Sequence, residues 1–193
     1  MRDLRSLVAL ALLVVALPLG GCGLVVGAGA ATGLAAMDER GIEGVARDSK
    51  ISADISTQLF SKDTSTWAKL GVEVYQGRVL LTGATQDQAA HADAVRIAWA
   101  TNGVKDVLDE IQETPIGLLD MTRDSGITSE LLTKMTFDKL VYTVNYKVET
   151  VGGVVYLLGT AQSQTELDRV LGYARDISYV KSVKSHVHIK GAA

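Results

Sequence analysis

Gly77-Arg78-Val79-Leu80-Leu81-Thr82-Gly83 and Gly153-Val154-Val155-Tyr156-Leu157-Leu158-Gly159 are two versions of one segment, 76 residues apart. Many other positions agree at that single offset, without gaps. Ile51 falls on Ile127, Val72 on Val148, Glu73 on Glu149, and Gln86 and Gln88 on Gln162 and Gln164. Ala98 falls on Ala174, Val104-Lys105 on Val180-Lys181, and Val107 on Val183. One register held over most of such a unit marks a tandem duplication of a small domain.

Both copies read alike. Ile51, Ile55 and Leu59 share one helical face, as do Ile127, Leu131 and Met135. Asp48 or Ser49 is the expected cap of the first helix, and Asp124 or Ser125 that of its counterpart. Val72 and Val74 alternate, then Val79 and Leu81 after Gln76-Gly77: a strand, a tight turn and a strand. The second copy has Val144-Tyr146-Val148, the turn Gly152-Gly153, and Val155-Leu157. Thr85-x-x-Gln88 and Ser163-x-x-Glu166 read as capping boxes. The helices they open bury Ala94, Val95 and Ala98, and Val170, Leu171 and Ala174. A last strand carries Val107 and Ile111 in one copy, and Val183, Val187 and Ile189 in the other. The fold class is α+β, each unit α-β-β-α-β with a small sheet and two helices on one face.

The N-terminus has a different character. Arg2 and Arg5 precede an apolar run, Leu7 to Leu17, and then Leu19-Gly20-Gly21-Cys22. Basic residues, a short apolar stretch and small residues before a cut site form a secretory signal. The run falls short of the roughly 20 residues that cross a bilayer. Leu19-Gly20-Gly21-Cys22 is similar to a lipobox, which implies cleavage before Cys22 and attachment of palmitate-type acyl chains to it. Several such chains, at about 0.8 kcal/mol per buried CH₂, make a durable anchor. As the only cysteine, Cys22 cannot form an intramolecular disulfide. Gly23, where enterobacterial sorting uses Asp for inner-membrane retention, implies the outer membrane.

The expected organisation is a signal peptide over 1–21 and a lipidated, Gly/Ala-rich tether over 22–47. The first domain follows over 48–113, a linker over 114–126 and the second domain over 127–193. Pro115 and Gly117 interrupt both periodicities in that linker. It is short and partly apolar, so the two domains are expected to touch.

Val-x-Val-x-x-Gly-x-Val-x-Leu-x-Gly, a helix, then Gly-Val-x-x-Val resembles the BON domain. Here it stands as Val72 to Gly83 with Gly103-Val104 to Val107, and as Val148 to Gly159 with Val180 to Val183. A lipobox, a tether, two such units and Gln-x-x-Pro-Ile-Gly-Leu between them (Gln112 to Leu118) resemble the dual BON-domain outer-membrane lipoproteins. Those are relatives of the osmotically inducible BON proteins. The resemblance implies a three-stranded mixed sheet in each domain and a non-enzymatic role at the periplasmic side of the outer membrane. It also implies that anionic phospholipid binds the second domain, mainly through its first helix, and that the protein supports envelope integrity.

Charge agrees with that assignment. Without residues 1–21 the net charge is −4, which excludes a surface built wholly for nucleic acid or anionic lipid. Residues 48–113 carry six Lys/Arg and ten Asp/Glu; residues 127–193 carry eight and six. The second domain is therefore the more basic one, as attraction to anionic headgroups requires. The expected lipid-binding residues are Ile127, Leu131, Leu132, Lys134, Met135 and Phe137, on a helix from about Ile127 to Lys139. The alternative packs Leu132 and Phe137 against the linker or the other domain. Gly126 stands where an aromatic would make a better membrane wedge.

Other constellations carry less. His186-x-His188 puts two imidazoles on one strand face, but a third ligand is missing, so no metal or other cofactor is expected. Gly152-Gly153 and Gly77 join strand to strand and lack the Lys-Ser/Thr of a phosphate loop. No catalytic arrangement stands out. Trp67 and Trp99, which the repeat replaces by Thr143 and Arg175, read as core or interface filler. With the acidic first domain they leave a second reading open: an adaptor for envelope protein partners.

Overall fold

A computed structural model describes residues 38–62 and 67–191. Cys22, the signal segment and the tether up to residue 37 lie outside the described residues. The first unit comprises α1 (Gly41–Phe60), β1 (Leu70–Tyr75), β2 (Arg78–Gly83), α2 (Gln88–Ala100) and β3 (Asp106–Asp109). The second repeats that order as α3 (Leu118–Phe137), β4 (Tyr146–Val151), β5 (Val154–Ala161), α4 (Gln164–Arg175) and β6 (Ser182–Ile189). In each sheet the middle strand pairs antiparallel with the strand before it and parallel with the last one. These are the expected α+β units, each with a three-stranded mixed sheet.

Strand alternation divides the apolar residues between two cores. Val74, Val79 and Leu81 turn toward α1 and α2, where they meet Ile51, Ile55, Leu59, Ala94 and Ile97. Val155 and Leu157 do the same under Leu131, Met135 and Val170. The intervening residues point the other way. Tyr75 and Leu80 of the first sheet pack on Val151, Tyr156 and Leu158 of the second. The two sheets therefore lie back to back with helices outside. β2 and β5, covered on both faces, are nearly continuous apolar runs for that reason. The expectation that the domains touch holds, through a shared core.

Polar groups border this core. Gln112 Nε2 donates to the Val151 carbonyl at 2.9 Å and to the Tyr156 hydroxyl at 3.1 Å. Arg78 donates to the His186 carbonyl at 2.8 Å. Glu110 takes both Lys184 (2.6 Å) and His186 (2.9 Å). His186 is thus engaged with the other domain. Among the described residues, no group of three His, Cys, Asp or Glu could hold a metal ion.

Several local expectations require correction. α1 and α3 begin at Gly41 and Leu118, well before Asp48 and Asp124. Part of the stretch read as linker is therefore helix, and neither Asp is a cap. Each instead reaches from mid-helix to the hairpin turn of its own domain. Asp48 accepts from the Gln76 and Gly77 amides at 2.6 and 2.9 Å. Asp124 accepts from Gly152 and Gly153 at 2.7 and 2.8 Å. Asp87, not Thr85, caps α2, accepting from Ala89 and Ala90. Ser163 does cap α4, but the buried Glu166 carboxylate accepts from the Gln162 and Tyr142 amides instead of the Ser163 amide. Trp67 is core, whereas Trp99 is 53% exposed and fills nothing.

Candidate membrane interface

α3 presents one stripe to the core and the rest of its circumference outward. Asp124, Ile127, Leu131 and Met135 form the buried stripe. Ile127, Leu131 and Met135, expected as lipid contacts, are 3%, 0% and 0% exposed and hold α3 to the sheet. Leu132 and Phe137 are 37% and 82% exposed, so Phe137 does not pack against the linker or first domain. Lys134 is half-buried and lies 3.5 Å from Glu130.

The outer face is less polar than its hydroxyls suggest. Thr122 donates to the Leu118 carbonyl, Ser125 to Met121 and Thr133 to Ser129, each one turn back. A hydroxyl satisfied by its own helix has less to lose when water leaves. Leu118, Leu119 and Met121 are exposed at the start of the helix, as Leu140 and Tyr142 are just past its end.

Basic groups gather at the C-terminal end. Lys134, Phe137, Asp138, Lys139, Arg169 and Tyr173 line one shallow recess. Its single acid is already committed. Asp138 accepts from the Leu140 amide at 2.9 Å and the Tyr173 hydroxyl at 2.7 Å, and Arg169 lies 3.4 Å away. These bonds, the Leu140 amide foremost, hold its carboxyl below the usual carboxylate range. The recess therefore combines a large exposed aromatic with three cations and one saturated carboxylate.

The segment before α1 joins the fold beside this region. Arg40 sits between Asp38 (2.6 Å) and Asp48 (3.0 Å), its guanidinium 4.3 Å from the Tyr75 ring centroid. Glu39 binds the other domain: its amide donates to Asn145 Oδ1 at 2.9 Å, and its carboxylate takes Gln162 and Lys190. Asn145 and Gln162 in turn flank Tyr142 through the Asn145 amide and through Glu166. Residues 38–40 thus staple both domains next to the loop that carries Leu140 and Tyr142. Periodicity could not reveal this contact, because it joins positions more than 100 residues apart.

A family model described as the BON domain matches residues 47–115 and 123–191. The chain belongs to the BON-domain family. An uncharacterized protein of Anaplasma centrale is 37% identical over 145 residues, covering 74% of this chain and 95% of that protein. Osmotically-inducible protein Y of Escherichia coli is 34% identical over 146 residues, covering 74% and 73%. Outer membrane lipoprotein DolP of Haemophilus influenzae is 31% identical over 169 residues, covering 86% of each. Both BON domains are thus shown, and α3 is the first helix of the second. Among the described residues no helix is long and apolar enough to cross a membrane.

Proposed function

We propose that this chain is a lipid-anchored, periplasm-facing protein of the outer membrane. Its second BON domain binds anionic phospholipid and supports envelope integrity, without catalysing a reaction. The observation that carries this reading is the outer surface of α3, with Phe137 beside Lys134, Lys139 and Arg169. An apolar side chain flanked by cations is the chemistry of a headgroup-level contact. The similarity to an outer membrane lipoprotein supports the location, and the lipobox ending at Cys22 supports the anchor.

The magnitudes are adequate for a protein already tethered. Burying Phe137 contributes about 2 kcal/mol, and each nearby cation about 1 kcal/mol at an anionic surface. The test uses residues 22–193 with Cys22→Ala, so that no acyl chain contributes. Binding is expected to vesicles containing phosphatidylglycerol and not to pure phosphatidylcholine. Phe137→Glu should reduce that binding about 30-fold. Equal binding to both vesicles, or none to either, refutes the reading.

A second reading rests on Trp99, 53% exposed on α2 of the acidic domain. It makes the chain an adaptor for envelope assembly or division machinery. Crosslinking in cells separates the two: one stoichiometric protein partner, lost in Trp99→Ala, together with absent vesicle binding, favours the adaptor.

A further inference from the structure

Tyr179 occupies a backbone conformation that disfavours it. Its φ is +70°, and at the repeat-equivalent position the first domain has Gly103, at +92°. The turn is the same in both domains: the Val104 amide donates to the Thr101 carbonyl and the Val180 amide to Ile177. It is also fixed in the same way. A Cβ on the hairpin glycine, Gly77 or Gly153, would come within 2.8 or 2.9 Å of the carbonyl of residue 103 or 179. The Lys105 and Lys181 amides donate to the Gly77 and Gly153 carbonyls at 2.8 Å, so the loop cannot relax without moving the hairpin. A bulky residue with positive φ is an outlier that the surrounding structure must hold in place.

Burial does not compensate Tyr179 for this strain, because the residue is 69% exposed. Its contact on the protein is the Arg123 guanidinium, 5.0 Å from the ring centroid. Arg123 belongs to α3, and Leu119 lies one turn before it on the same flank. Tyr179 and Arg123 line one recess with Asp120, Asp124 and Lys181. Asp124 is turned inward to the hairpin amides, and Asp120 lies 3.6 Å from Arg123. The outward chemistry is an aromatic ring with a phenol, two cations against the one carboxylate of Asp120, and the exposed Leu118, Leu119 and Met121 of the adjoining turn.

We infer that Tyr179 is an interfacial anchor, which enters the headgroup layer of the bilayer with Arg123 and Lys181 as its cationic flank. Tyrosine suits that depth because its ring is apolar and its hydroxyl stays wet. The site lies at the opposite end of α3 from Phe137, so together the two ends hold the helix flat on the membrane. The inference rests on the phospholipid reading above and extends it to a loop outside α3.

The test has two readouts of opposite sign. Tyr179→Gly removes the ring and relieves the backbone, so the melting temperature should rise while partitioning to phosphatidylglycerol vesicles falls about tenfold. Tyr179→Ala keeps the strain and loses the ring, so it should bind as weakly without the gain in stability. Tyr179→Phe should retain most of the binding. Wild-type affinity in Tyr179→Gly overturns the inference alone and leaves the phospholipid reading standing, since Phe137→Glu tests that separately. A Tyr179→Gly melting temperature that does not rise overturns the strain on which the inference stands. A wild-type chain that binds no vesicle overturns both.

Discussion

Replacing Glu149 by Gln should change how stability depends on pH, and the structure sets both sign and size. Glu149 and its repeat-equivalent Glu73 stand where the two sheets meet, with Lys147 on Glu73 at 3.1 Å. Burial first, then the charges of Glu73 and Asp124, push the Glu149 carboxyl from 4.5 up to about 7. The folded chain therefore holds this proton more tightly than the unfolded chain. Below about pH 4.5 both states are protonated and its contribution is complete. As pH rises toward 7 the folded state must either keep the proton or bear the charge, and stability falls. At about 1.4 kcal/mol per pH decade the upper bound is near 3 kcal/mol. Partial solvent screening of Glu149 reduces this to about 2 kcal/mol. The assay is urea unfolding of residues 22–193, Cys22→Ala, between pH 4.5 and 8. Glu149→Gln should match the parent at the acid end and exceed it by about 2 kcal/mol at pH 8. Glu73→Gln should recover part of the same gain. Parallel profiles for parent and Glu149→Gln would refute the reasoning.

Three further predictions concern the frame that presents α3. Asp124→Ala leaves the Gly152 and Gly153 amides without their acceptor and should cost about 3 kcal/mol, roughly 10 °C in a thermal melt. Arg40→Met leaves Asp38 and Asp48 buried without their cation. It should cost about 3 kcal/mol, with faster hydrogen exchange over residues 38–48 as the local signature. Leu158→Ala opens a cavity in the core between the sheets and should cost about 3 kcal/mol. Its calorimetric trace should separate into two transitions where the parent shows one.

The repeat was legible because each domain buries its helices by local rules. Ile51, Ile55 and Leu59 recur every fourth residue, and Val72, Val74, Val79 and Leu81 alternate, whatever lies on the other side of the sheet. What lies there was signalled only indirectly. Leu80, Tyr156 and Leu158 made β2 and β5 apolar on both faces, a pattern that means double burial but names no partner. The start of α3 is not legible because Pro115 and Gly117 mark a break without fixing where it ends. Leu118 to Gly126 lacks the heptad of apolar positions, since α3 there projects past most of the core and carries exposed leucines. The same weakness affected the site. Periodicity found the buried stripe Ile127, Leu131 and Met135, the opposite side of the helix from a surface contact. Leu140, Arg169 and Tyr179 come from three other segments, and only folding brings them around α3.

By itself the sequence determined the duplicated α-β-β-α-β unit, the family and the more basic second domain. All of these are properties of neighbouring residues or of one fixed offset. Only the tertiary structure decided that the sheets meet back to back, that Asp38–Arg40 joins both domains, and that Asp48 and Asp124 brace hairpins instead of capping helices. Each of those is a contact between residues distant in the chain, set by how buried faces and amides find partners. The backbone of Tyr179 belongs to this second group. Its letter reads as an ordinary loop aromatic, and only the hairpin packed against its carbonyl gives it a glycine's conformation and an exposed ring.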